Sequence, residues 1–86
     1  MDDKNVEMFE FTIYFKNGTV ISEKTSYKKH ISQLVEAYNE FLLEGKARGG
    51  EFPFRQNHTS HSAEIEKRYV IDFQQVQSIG YLYSGR

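Results

Sequence analysis

The strongest constraint on the fold of this 86-residue chain is an alternating run that ends at a turn signal. From Phe9 to Lys16, Phe or Ile occupies every second position, which is the spacing of a strand with one buried face. Asn17-Gly18 follows at once, and this pair best tolerates the positive φ angles of a type I′ turn. The pattern therefore predicts a β-hairpin.

The turn type also predicts which side chains share a face of the hairpin. A two-residue loop pairs Phe15 with Val20 and Tyr14 with Ile21. Val20 then joins the apolar face, and Ile21 lies beside Tyr14 on the opposite face. We expect this second, mixed face to need cover from another element or another subunit.

An amphipathic helix is predicted next, from about Tyr27 to Leu43, with Thr25 or Ser26 as its N-terminal cap and Gly45 as its C-terminal stop. Lysines at its start and glutamates at its end oppose the helix dipole, so tertiary packing must stabilise it. Its apolar stripe has the helical period and consists of Tyr27, Ile31, Leu34, Val35, Tyr38, Phe41 and Leu42.

The C-terminal half is predicted to begin with a long mobile loop at residues 46–64, because Gly49-Gly50 and a wholly polar run interrupt any periodic pattern. Alternation returns in two strands, at residues 65–73 and 76–83, separated by a short turn at Gln74-Gln75.

These elements predict one α+β domain that spans residues 1–86. The expected architecture is an antiparallel β-sheet with one amphipathic helix packed on a face, in the order ββαββ. A chain of this length has room for a single core. Residues 1–6 are expected to be disordered.

Composition narrows the function classes. Cysteine is absent, which excludes disulfides, zinc–thiolate sites and thiol nucleophiles. The N-terminus is acidic and lacks the apolar segment of a signal peptide. No apolar run approaches the ~20 residues that span a bilayer. We therefore expect a cytoplasmic protein with no membrane association and no cofactor.

Candidate metal and catalytic residues are few. His58 and His61 have a spacing that places two imidazoles on one metal ion, but no third ligand lies nearby, so two solvated histidines are the preferred interpretation. Ser60, His61 and Asp72 lack the rigid geometry of a nucleophile–base–acid set, so no enzyme is expected. Asp72 is instead expected to cap the turn that follows it.

A basic excess supports one alternative function. Residues 45–68 contain five Lys or Arg against three Glu, in a chain whose net charge is −1. Such a segment is able to contact phosphates and stack bases, which predicts nucleic-acid or nucleotide binding as the alternative. The residues concerned are Lys46, Arg48, Arg55, His58, His61, Lys67 and Arg68.

An excess of tyrosine supports the preferred function. The chain has six Tyr and seven Phe, more aromatic side chains than a small core is expected to enclose. Tyrosine is enriched at interface hot spots, and edge strands pair between subunits. We therefore predict a non-enzymatic protein-interaction module that self-associates, with a homodimer as the expected form. The candidate interface residues are Tyr14, Ile21, Tyr69, Tyr81 and Tyr83.

Two segments carry a general resemblance. The Phe-Lys-Asn-Gly-Thr-Val hairpin at residues 15–20 and the closing Val76–Gly80 strand resemble parts of short, cysteine-free accessory proteins of Gram-positive bacteria, their phages and mobile elements. The resemblance implies an accessory role and assigns no function to any residue.

Overall fold

The computed structural model describes residues 8–56 and 65–83, which form antiparallel strands in two sheets and one helix. One sheet has the order β2-β1-β5 and the other consists of β3 and β4. The α+β class is confirmed, and the order ββαββ is correct apart from an additional strand after the helix. The strands form two sheets, however, where a single sheet was predicted. The elements are β1 (Phe9–Phe15), β2 (Val20–Thr25), α1 (Lys28–Glu44), β3 (Gly49–Gln56), β4 (Ile65–Asp72), a single 3₁₀ turn (Phe73–Gln75) and β5 (Val76–Tyr83).

The hairpin between β1 and β2 forms with a three-residue loop. The Phe15 N–H donates to the Thr19 carbonyl at 2.9 Å, and the Gly18 N–H donates to the Phe15 carbonyl at 3.0 Å. Gly18 has a φ of +94°, and a residue in the left-handed conformation at this position is typical of three-residue hairpin loops. The Asn17 side chain accepts from the Thr19 N–H at 2.9 Å. Asn17-Gly18 therefore makes the turn, but not the two-residue turn that was predicted.

The extra loop residue shifts the register of β2 by one position. Ile13 pairs with Ile21, and Tyr14 pairs with Val20. Because successive side chains point to opposite faces, this shift reverses every assignment on β2. Ile21 packs against the core, whereas Val20 lies on the outer face and is 52% exposed. The predicted faces of Ile21 and Val20 are therefore wrong.

Helix α1 ends as predicted but begins without a side-chain cap. Its N-cap residue is Tyr27, which makes no side-chain cap hydrogen bond. The Thr25 hydroxyl donates instead to the Arg55 carbonyl at 2.8 Å, so it joins β2 to β3. Gly45 adopts φ +69°, and its N–H donates to the Phe41 carbonyl at 3.1 Å, which confirms the predicted stop.

The core lies where α1 packs against both sheets. Phe11 of β1 and Phe54 of β3 have ring centroids 4.3 Å apart, and this contact joins the two sheets. Leu42, predicted to belong to the buried stripe of the helix, is exposed. The buried apolar residues are Phe9, Phe11, Ile13, Ile31, Leu34, Tyr38, Phe54, Ile71, Phe73 and Val76.

Strand β3 occupies much of the predicted loop. It pairs with β4 from Gly49 opposite Asp72 to Gln56 opposite Ile65. A Cβ atom on Gly49 would lie 1.9 Å from the Ile71 carbonyl oxygen, so glycine is required for this close approach of two backbones. The glycines therefore begin a strand. Residues 57–64 of that predicted loop, with His58 and His61, and the predicted disorder at residues 1–6 lie outside the described residues.

The helix offers a matched pair of leucines that tests the core. Leu34 is fully buried, whereas Leu43 of the same helix is 81% exposed. We expect Leu34→Ala to lower the free energy of unfolding by about 2–5 kcal/mol, because it leaves a cavity. Leu43→Ala should change it by less than about 0.5 kcal/mol. Urea unfolding followed by circular dichroism measures both, and equal losses would contradict the assigned core.

Candidate interaction surface

An unpaired sheet edge presents backbone N–H and C=O groups to which another strand can add. Strands β2 and β5 form the two edges of the first sheet. In the second sheet, β3 and β4 each have one edge without a partner strand. The chemistry of these edges decides which of them is available.

The outer edge of β3 is closed by the residues that precede and begin the helix. The Arg55 N–H donates to His30 Nδ1 at 3.3 Å. The Arg55 carbonyl accepts from the Ser26 N–H at 2.9 Å and from the Thr25 hydroxyl at 2.8 Å. Pro53 has no N–H to offer. Neither Arg55 nor Pro53 therefore offers a free backbone N–H to a further strand.

The edges of β2 and β4 carry charges, which oppose strand addition. Strand β2 contains Glu23 and Lys24, and the Lys24 carbonyl already accepts from Gln56 Nε2 at 2.7 Å. Strand β4 contains the charged run Glu66 to Arg68. Both edges therefore have the features by which proteins prevent unwanted pairing.

Strand β5 differs from the other strands because it contains no charged residue and no proline. Lys16 N–H donates to the Gln75 carbonyl at 2.8 Å, whereas Phe15 N–H donates to Thr19 of the neighbouring turn. In an antiparallel ladder this alternation continues along the strand, so even-numbered residues of β1 bond β5. Their partners are Ser78, Gly80 and Leu82. The backbone groups of Ile79, Tyr81 and Tyr83 therefore point away from β1.

We call the outward backbone groups and the side chains of Ile79, Tyr81 and Tyr83 the β5 edge. These side chains lie on the same face of the sheet as the core residues of β1. The Tyr83 ring meets the Phe9 ring edge-on at 5.5 Å, and the Lys28 ammonium lies 4.8 Å from the Tyr83 centroid. The Tyr81 ring lies 5.2 Å from that of Tyr83, and Tyr81 is 51% exposed. The β5 edge thus has one aromatic ring that is packed against its neighbours, that of Tyr83, and one that is exposed, that of Tyr81.

The five predicted interface residues occupy three places. Tyr81 and Tyr83 lie together on the β5 edge. Tyr14 is exposed on the opposite face of the same sheet, and Ile21 packs against the core. Tyr69 of β4 is partly buried between the sheets. The third residue of the β5 edge, Ile79, was not predicted from the sequence. The signal that could have identified this strand is the absence of charge from Val76 to Tyr83.

Tyr69 belongs to a polar link between β4 and β2. Its hydroxyl donates to the Glu23 carboxylate, and Lys67 Nζ lies 3.2 Å from the same carboxylate. The hydrogen bond to Glu23, followed by burial, raises the pKa of Tyr69 to about 12. This link holds β4 against the first sheet.

The basic residues predicted to bind phosphate contact carboxylates wherever the structure describes them. The Arg48 guanidinium makes two hydrogen bonds to Asp72, and its presence lowers the pKa of that carboxyl. Asp72 also accepts from the Gln74 N–H at 3.0 Å, as expected for a turn cap. The other pairs are Lys46–Glu44 (3.2 Å), Arg55–Glu66 (2.8 Å), Arg68–Glu66 (2.6 Å), Arg68–Glu51 (3.2 Å) and Lys67–Glu23 (3.2 Å). A phosphate would compete with these carboxylates.

An open cleft of about 510 Å³ lies beside the start of β5. The C-terminal half of α1 forms one wall, with Phe41 and Leu42, and the 3₁₀ turn forms the other. The Tyr38 hydroxyl donates to the Val76 carbonyl at 3.3 Å at its base. Its polar lining consists of Lys16, Gln74, Gln75 and Gln77, and none of these is among the buried polar residues of the described chain, so the cleft specifies no ligand.

Within residues 8–56 and 65–83, no three His, Asp or Glu side chains form a group suited to a metal ion. The described helix is too short and too polar to cross a bilayer. Comparison with protein-family models, curated proteins and solved structures found no match to this chain.

The raised pKa of Tyr69 predicts a pH dependence of stability. The folded value of about 12 lies above the ordinary value of 10.0, so the contribution is fully present below pH 10 and is lost as pH rises toward 12. We expect the urea midpoint of the unmodified chain to fall more steeply between pH 10 and 12 than that of Tyr69→Phe. Glu23→Gln should also reduce the slope, because it replaces the charged acceptor of the hydrogen bond that raises the pKa of Tyr69 with a neutral amide. Parallel curves for all these proteins would contradict the link.

Proposed function

We propose that this chain is a non-enzymatic protein-interaction module that binds a partner by strand addition at the β5 edge. One observation carries the proposal. Strand β5 alone among the described strands contains neither charge nor proline, although it lies at the edge of its sheet. Natural proteins blunt edge strands that are not meant to pair, and the other edges of this protein are blunted.

The proposed mode of binding separates affinity from specificity. A partner strand would bond to the outward N–H and C=O groups of Ile79, Tyr81 and Tyr83, and these backbone bonds are the same for any sequence. The exposed Tyr81 ring would supply the specific contact, because tyrosine buries a large rigid surface at low entropic cost. Tyr83 is already held against Phe9, so little order is lost when the partner arrives.

The alternative of nucleic-acid binding has weaker support. Its described residues Lys46, Arg48, Arg55, Lys67 and Arg68 each contact a carboxylate, so the basic excess of the segment does not form an unopposed patch. Phosphate contacts need such a patch to release counterions. The accessory role in phages or mobile elements remains part of the proposal, and it rests on the sequence resemblance of the hairpin and the last strand.

Proline substitution tests strand addition directly. In Tyr81→Pro, an outward N–H is lost while the hydrogen bonds to β1 are kept. We expect an affinity-tagged chain expressed in its natural host to capture a protein, either the untagged chain or another protein, that Tyr81→Pro fails to capture.

Val20→Pro is the matched control, because Val20 lies on the other edge strand of the same sheet and its N–H also points away from β1. It should capture the partner as the unmodified chain does. Tyr81→Ala retains the N–H and separates loss of the ring from loss of the donor. The proposal would be contradicted if Tyr81→Pro, Val20→Pro and Tyr81→Ala all captured the partner, or if the unmodified chain captured no protein.

A further inference from the structure

We infer that the occupant of the β5 edge is a second copy of this chain, which pairs antiparallel to the first about a two-fold axis close to Tyr81. The inference rests on the proposed function and names its partner.

The β5 edge is complementary to itself in the antiparallel direction. Its outward groups occur at every second residue, Ile79, Tyr81 and Tyr83, and a two-fold axis presents the same spacing from the other copy. With the axis at Tyr81, that residue faces its own copy and Ile79 faces Tyr83. This arrangement forms about six backbone hydrogen bonds. With the axis one residue earlier, Tyr81 faces Ile79 and lies diagonal to its copy.

The absence of charge on β5 has a particular meaning for self-pairing. Two copies related by a two-fold axis bring each residue close to its own counterpart, so any charge near the axis would meet a like charge. Strand β5 has none from Val76 to Tyr83. A partner of different sequence would tolerate a charge here and would gain specificity from an opposite one. The uniformly neutral strand therefore favours a second copy as the partner.

The helix supplies a flank beside the paired strands. Lys28 lies over the Tyr83 ring, and the Tyr38 hydroxyl bonds the Val76 carbonyl, so α1 runs alongside β5. Lys28, Val35 and Leu42 are spaced by seven residues and form one line on the helix surface. Val35 is partly buried and Leu42 is exposed. This line lies on the side of the helix that faces β5, where a second copy would add cover beyond the strand pairing.

Pairing at β5 produces a closed dimer rather than a fibre. The combined sheet would have the order β2-β1-β5-β5-β1-β2, so its outer edges would be the β2 strands. These carry Glu23 and Lys24, and the Lys24 carbonyl is already bonded to Gln56. No uncharged edge of this sheet is left to continue the assembly.

A charge-exchange experiment at Tyr81 tests the inference. We expect the purified chain of 10.1 kDa to sediment with twice this mass at high concentration. Tyr81→Lys and Tyr81→Glu should each raise the dimer dissociation constant by about tenfold or more, because each brings like charges together and removes an aromatic contact. An equimolar mixture of the two variants should recover the dimer as a mixed species, and added salt should weaken it.

Val20→Lys and Val20→Glu are the matched controls. Val20 is 52% exposed, as Tyr81 is 51% exposed, and it lies on the opposite edge strand of the same sheet. Both controls should dimerise as the unmodified chain does. Equal weakening by the Val20 and Tyr81 variants would overturn the assigned edge, and failure of the mixture to recover would overturn the two-fold pairing.

Amide hydrogen exchange provides a measurement that needs no variant. The N–H groups of Ile79, Tyr81 and Tyr83 should exchange slowly at high chain concentration and quickly at low concentration, whereas those of Ser78, Gly80 and Leu82 should be protected at both. A chain that stays monomeric and shows no such dependence overturns the inference. If Tyr81→Pro still abolishes capture of another protein, the proposed function survives that result; if capture is unaffected, both fail.

Discussion

The contact between Phe11 and Phe54 is the constraint on which the rest of the structure depends. The second sheet has only two strands, β3 and β4, and an isolated two-stranded sheet is marginally stable at best, so this pair needs to pack against another element. The two rings pack with centroids 4.3 Å apart, and both side chains are fully buried. Through this contact the β3–β4 pair and the first sheet share one hydrophobic core, against which α1 also packs. The fold therefore requires β3 as much as it requires the hairpin.

Polar contacts fix the relative position of the sheets around this apolar centre. At one end, Thr25 and His30 are buried, with the Thr25 hydroxyl 3.0 Å from His30 Nδ1, and both contact the backbone of Arg55. Beside it, Glu23 links β2 to Tyr69 and Lys67 of β4. Burying such groups is costly unless they are bonded, so these contacts specify one docking geometry. They also occupy the edge of β3 and part of the edge of β2.

The elements that were predictable from the sequence are those whose signal is local and periodic. The alternation of β1 and the 3.6-residue stripe of α1 depend on each segment's own pattern, and Gly45 ends the helix by its own backbone preference. Strand β3 escaped prediction because Gly49-Gly50 and Pro53 normally interrupt strands. Here Gly49 permits close approach to Ile71, and the nitrogen of Pro53 lies on the outer side of β3, away from β4, so no hydrogen bond of the ladder is lost.

The faces of β2 were mispredicted for a different reason. Asn17-Gly18 is compatible with loops of two or three residues, and the choice between them moves Ile21 from one face to the other. The candidate interface residue of β2 was chosen by its predicted face, which is why Ile21 is found in contact with the core. Burial of Ile21 opposite Ile13 stabilises the observed register, and no local pattern contains that information.

The four edge strands differ in charge, and β5 is the one without a charged residue. An uncharged edge strand is a liability in a protein that remains alone, because it invites pairing with any extended chain. Charges, a proline and side-chain contacts blunt the edges of β2, β3 and β4, and a single lysine on the exposed side of β5 would have done the same. Tyr81 occupies the position where such a lysine would be most effective. The proposed partner strand at that edge would explain why this strand differs from the other three.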